Sequence, residues 1–138
     1  GIAIYDPVVK AGGLLHIMLP DSNIDPIKAA KHPTMFVDTG VPALFRATYE
    51  LRAEKHRMLI SVAGGAQIMD SSGFFNIGSR NFEAVNELFQ QHGLRIYAEQ
   101  VGGLVNRTMF LNLATGEVRL KISGQAQETI LCKNSTTT

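Results

Sequence analysis

Two long segments of helical periodicity, with a single apolar run between them and short β-type runs clustered before and after, leave this chain few architectures. The first helical segment covers residues 38–56, with Val41, Leu44, Phe45, Thr48 and Leu51 on one face and Arg46, Glu50, Arg52 and Glu54 facing outward. Asp38 or Thr39 is the expected N-cap, and Pro42 falls in the first turn, where a missing N–H does no harm. The second segment covers residues 79–92, with Phe82, Val85, Leu88 and Phe89 as its apolar stripe and Gly93 as its C-terminal stop. Between them, residues 58–62 read as a buried strand ended by Gly64-Gly65.

Residues 1–6 and 14–19 predict a hairpin with a long connection, and residues 23–35 a loop or a short helical piece. After the second helix come strands over 94–101, 107–113, 117–123 and 127–131, with Ala114-Thr115-Gly116 as a hairpin turn. Strict strand–helix alternation is absent, so the expected class is α+β rather than a doubly wound sheet. At 138 residues the chain is one domain, expected over 1–132, followed by a flexible polar tail over 133–138. A strand that starts at the first residue, with no initiator Met, predicts that chain precedes Gly1.

Charge and cysteine content exclude several functions. Basic and acidic residues number 13 and 12 and are mixed, leaving no basic run for a nucleic-acid backbone. No apolar stretch approaches the roughly 20 residues that span a bilayer, which predicts no membrane insertion. One cysteine, Cys132, forms neither an internal disulfide framework nor a cysteine-rich zinc site, and the compartment that fits is the cytoplasm. No phosphate-binding fingerprint follows the glycine pairs and no histidine pair has metal-ligand spacing, so neither cofactor nor metal is expected.

Few places are left for chemistry. His16 interrupts the apolar run 14–19 and is either a satisfied core residue, which spacing alone favours, or a general base at a sheet edge. The pairs Gly12-Gly13, Gly64-Gly65 and Gly102-Gly103 mark tight turns or close backbone approach to a ligand. Residues 75–81 are dense in polar side chains and lead into the second helix. Asn76, Arg80 and Asn81 there are either part of a capping loop, with Ser79 or Asn81 as cap, or one wall of a cleft. Cys132, at the end of the last strand, reads as a structural thiol more than as a nucleophile.

Five blocks, in order, resemble one family. They are Ile4-Tyr5-Asp6-Pro7 with Gly12-Gly13-Leu14-Leu15-His16-Ile17-Met18-Leu19-Pro20-Asp21; Val62-Ala63-Gly64-Gly65-Ala66; Asn76-Ile77-Gly78-Ser79-Arg80-Asn81; and Ala98-Glu99-Gln100-Val101-Gly102-Gly103. The chain resembles the CheD family, the glutamine deamidases of bacterial chemoreceptors. The resemblance implies a β-sandwich-like mixed-sheet core flanked by helices, and Cys-His thioester chemistry that converts glutamines of methyl-accepting chemotaxis receptors to glutamate and ammonia. It makes His16 the catalytic histidine, with Gly64, Gly65, Asn76, Arg80 and Asn81 lining the site. It also implies a CheC-type phosphatase as a partner. The family's nucleophilic cysteine, in a Gly-Ser-Cys segment, aligns just upstream of Gly1, as does an assisting threonine, so the chain by itself is expected to be inactive. Gln100 stands where the family carries an acid, and Leu104-Val105-Asn106 departs from its pattern before the expected Arg107. The alternative is a catalytically silent homologue that binds receptors or a CheC-type phosphatase as a regulatory module.

Overall fold

The computed structural model describes residues 1–67 and 76–134. Its centre is a mixed sheet in the order β2-β1-β3-β4: β1 (Ile2–Asp6), β2 (Ala11–Leu15), β3 (Leu59–Gly64) and β4 (Ala98–Val101). β1 is antiparallel to both neighbours, while β3 and β4 run parallel. A second, antiparallel sheet holds β5 (Arg107–Leu111), β6 (Val118–Ile122) and β7 (Thr129–Cys132) in sequence order.

All five residues of β1 are buried because the strand is covered on both faces. Successive side chains point to opposite sides. Ile2, Ile4, Ile60 and Val62 meet α2 (Val37–Glu50) and α3 (Ile77–Gln91) through Val41, Leu44, Phe45, Val85 and Phe89. On the opposite face Ala3 and Ala63 are small, which lets the second sheet approach with Val118, Leu120, Ile122 and Cys132. The result is a helix layer, a mixed sheet and an antiparallel sheet stacked in that order. This is the α+β, sandwich-like arrangement expected above.

Several boundaries move, each for a local reason. β2 ends at Leu15 rather than running to residue 19, because the Met18 and Leu19 N–H groups turn to the Met35 carbonyl at 2.8 and 3.0 Å. Gly12-Gly13 makes no turn. Both residues lie within β2, where a Cβ on Gly13 would meet Leu44 at 2.9 Å, so the glycine admits α2 close to the sheet. The segment 23–35 contains α1 (Pro26–Lys31), capped by Asp25, which accepts from the Lys28 N–H at 3.0 Å. α2 stops at Glu50, six residues early on the sequence reading (56 − 50), and Arg52 follows with φ 70°. Neither Asp38 nor Thr39 caps it: the Asp38 carboxylate accepts from the Ser22 N–H at 2.9 Å and from its hydroxyl. Pro42 lies inside α2. α3 begins at Ile77, so Ser79 and Asn81 are helical residues and not caps. Only residues 98–101 of the expected strand 94–101 pair as β4, whereas Leu94 and Ile96 pack on the helix-side core. The turn at 114–116 forms as expected, with the Asn112 side chain accepting from the Ala114 N–H at 2.9 Å. Of the expected tail, residues 135–138 lie outside the described residues, as does Phe75.

Candidate active site

Strand direction gathers the site. Because β1 is antiparallel to β2 and β3, its start lies at the sheet edge where those two strands end, and β4, parallel to β3, ends there too. Gly1, His16, Gly64-Gly65 and Gly102 therefore emerge together. Gly1 carries the β1–β3 pairing one residue further, with its amino group donating to the Ala63 carbonyl at 2.7 Å and the Ala63 N–H donating back at 3.0 Å.

A concavity of about 1040 Å³ opens at this edge. Gly1, His16 and Ile17 form one side, Gly64 to Gln67 the floor, Ile77, Gly78 and Asn81 a second side, and residues 105–109 the third. His16 sits just past the end of β2 and is exposed, so the core placement that spacing favoured does not hold. The reason is the early departure of the chain from the sheet at Leu15.

The floor is held by backbone contacts. Gly64 and Gly65 adopt φ of 121° and 66°, a region that L side chains rarely occupy. The Gly64 carbonyl accepts from the Gly102 N–H at 2.8 Å and from Arg107 Nη1 at 3.2 Å. Arg107 Nε donates in turn to Gln100 Oε1 at 2.8 Å. Gly65 lies against the first turn of α3 so closely that a Cβ on Gly78 would stand 2.5 Å from the Gly65 carbonyl. Asn81 Nδ2 donates to the Met18 carbonyl at 3.2 Å, while its buried Oδ1 has no partner among the described residues.

Of the residues singled out from sequence, His16, Gly64, Gly65 and Asn81 line this concavity. Asn76 and Arg80 do not. Asn76 is exposed at the start of α3 with φ 49° and accepts from the Gln67 side chain. Arg80 faces a separate hollow of about 450 Å³ with Asp21, Asp38 and Glu83. The difference follows from helical geometry: Arg80 and Asn81 are neighbours in sequence and so project about 100° apart on α3. Cys132 is buried against Ala3 and Val118, away from the concavity, and burial raises its pKa even though a hydrogen bond with Ser61 draws it down. Gln67, Gly78 and Thr108 were not singled out as site residues. Of these, only Gly78 lay in a segment marked as a candidate from sequence, the polar run 75–81 before the second helix.

No group of three or more His, Cys, Asp or Glu side chains suited to a metal forms among the described residues, and no helix there is long and apolar enough to cross a membrane. Fold and site define an α+β domain that presents a histidine, polar backbone and a helix start around one open cleft at the common end of a mixed sheet.

The chain belongs to the CheD family. A family model described as CheD chemotactic sensory transduction matches residues 18–122. The chain is 50% identical over 123 residues to a protein of Syntrophus aciditrophicus named "Probable chemoreceptor glutamine deamidase CheD 1", covering 89% of this chain and 77% of that one. A "Probable chemoreceptor glutamine deamidase CheD" of Solibacter usitatus is 39% identical over 130 residues, covering 94% and 77%. One of the same name from Pyrococcus abyssi is 37% identical over 139 residues, covering 94% and 81%.

Proposed function

We propose that this protein, together with residues upstream of Gly1, is a glutamine deamidase acting on methyl-accepting chemotaxis receptors, with His16 as its base. The observation that carries the reading is that Gly1 and His16 line one concavity. A residue joined to the Gly1 amino group starts within about one peptide link of the Ala63 carbonyl, on the floor beside the glycine pair. A cysteine just upstream, as the family resemblance implies, then meets the imidazole in the cleft. The relatives' names supply the substrate class.

The chemistry balances with these groups. His16 takes the thiol proton, the thiolate adds to the glutamine amide carbon, and a carbon–sulfur bond forms as negative charge moves to oxygen. The charge returns, the carbon–nitrogen bond breaks, and His16 hands its proton to the departing ammonia. Water then adds to the thioester with His16 again accepting a proton, and glutamate leaves as the thiol is restored. Cys132 supports no such role, being buried in another core cluster. A CheC-type phosphatase remains the expected partner. Leu14 and Met18, both half exposed, flank His16 in sequence and offer an apolar rim for a receptor helix.

The test compares this chain with one extended through its native upstream codons, incubating each with receptor cytoplasmic fragments and mapping glutamine-to-glutamate conversion by peptide mass spectrometry. The extended form converts and the chain beginning at Gly1 does not. Conversion by neither form, with a leader free of cysteine, would replace the enzyme with the regulatory binding module.

A further inference from the structure

The segment that carries His16 leaves the sheet after Leu15 and is tied down on two sides. Toward α2 the ties are backbone. The Met18 and Leu19 N–H groups donate to the Met35 carbonyl at 2.8 and 3.0 Å, and the Leu19 carbonyl accepts from the Val37 N–H at 3.1 Å. Toward α3 the tie is a side chain: Asn81 Nδ2 donates to the Met18 carbonyl at 3.2 Å. A carbonyl can only accept, so the amide nitrogen of Asn81 is the atom that must face it. Two of the three backbone bonds converge on the single Met35 oxygen. They set how far the strap stands from α2, and leave its approach to α3 to Asn81.

Asn81 follows Gly78 by three residues, so the two share one face of α3. That face meets both halves of the site. Gly78 rests on the floor, where a Cβ would stand 2.5 Å from the Gly65 carbonyl, and Asn81 reaches the strap two residues beyond His16. The start of α3 is thus a rigid spacer between the glycine floor and the backbone that carries the imidazole.

We propose that Asn81 is a positioning residue of the deamidation site, fixing the Met18 carbonyl and with it the place of His16 over the Gly64–Gly65 floor. This rests on the deamidase reading above and adds how that site holds its base. A general base must stand within about 2.6–3.2 Å of the group whose proton it takes. A misplacement of about 1 Å costs on the order of 100-fold in rate, so one bond to the strap is enough to matter.

Two variants test this, Asn81→Ala and Asn81→Asp. The second keeps the size of the side chain but puts a carboxylate oxygen where the donor was. Amide hydrogen exchange is read on the chain from Gly1. Deamidation of receptor fragments, resolved into kcat and KM, is read on the protein extended through its upstream codons. In both variants the Met18 and Leu19 N–H groups exchange about fivefold faster, as expected for one lost hydrogen bond, while β1 keeps its wild-type protection. Both lower kcat by about 10-fold with KM little changed. A wild-type kcat in Asn81→Asp, or unaltered exchange at Met18 and Leu19, overturns the assignment and leaves the deamidase reading standing. So does a raised KM with kcat intact, which would make Asn81 a substrate contact, and so does faster exchange throughout β1, which would make it a general support of the fold. An extended wild-type protein that converts no glutamine overturns the deamidase reading, and this assignment with it.

Discussion

The carboxylate of Asp6 is fully buried at the end of β1 and has every oxygen engaged. It accepts from the Val8 N–H and the Glu54 N–H, each at 2.9 Å, and pairs with the Arg57 guanidinium, whose Nη2 lies 2.8 Å away. Burial alone would raise its pKa, but the Arg57 hydrogen bond and the two backbone donors together hold it below the usual carboxylate range. A carboxyl depressed in the folded state adds stability above its unfolded pKa of about 3.9, and that contribution fades as pH falls through the folded value. Asp6→Ala therefore costs about 1–3 kcal/mol at pH 7, since it leaves the Val8 and Glu54 N–H groups without their acceptor. In urea titrations the gap from wild type narrows as pH drops below about 4. Superimposable stabilities at neutral pH would contradict this role. Sequence shows Asp6 only as the last residue of the first strand, before Pro7, because its partners lie 48 and 51 residues further on. His16 was legible as unusual for being polar within an apolar run. Its exposure was not, since that depends on a remote carbonyl, Met35, drawing the chain out of the sheet.

At the scale of elements, the contact between the end of β3 and the start of α3 sets the cleft. Gly78 has no room for a side chain: a Cβ there would lie 2.5 Å from the Gly65 carbonyl and 2.7 Å from that of Ala66. Backbone cannot rotate aside as a flexible side chain can, so Gly78→Ala must push the two elements apart. The expected cost is about 1–3 kcal/mol in chemical denaturation, as for other overpacked sites. Deamidation by the extended protein falls along with it, because the displaced floor includes Gly65. A variant with wild-type stability and rate would show that the contact does not shape the site. Helical periodicity made α2 and α3 legible, and their apolar faces are found in the core except for Leu51, which is exposed because α2 stops at Glu50. Their ends were not, because the α2 start is tied by Ser22 to Asp38 and the α3 start lacks a side-chain cap. Those are tertiary choices, and local capping rules do not contain them.

For the whole molecule, the stacking order was only partly readable. The unbroken burial of β1 and the small residues Ala3, Ser61 and Ala63 facing the second sheet make sense once both neighbours are known. In sequence they are simply an apolar run and a few small residues. Strand direction then turns the stack into a site by bringing the start of β1 and the ends of β2, β3 and β4 to one edge, which no window of sequence displays. Four of the five family blocks reach that edge or the start of α3 beside it, whereas Ile4-Tyr5-Asp6-Pro7 lies at the opposite end of β1. The most direct test of this account measures glutamine deamidation of receptor fragments by the extended protein with and without His16→Ala. The account predicts a loss of about 100- to 10,000-fold, the range for removing a general base, with folding unchanged because the residue is exposed. Retention of the wild-type rate by His16→Ala would contradict it and move the catalytic centre elsewhere.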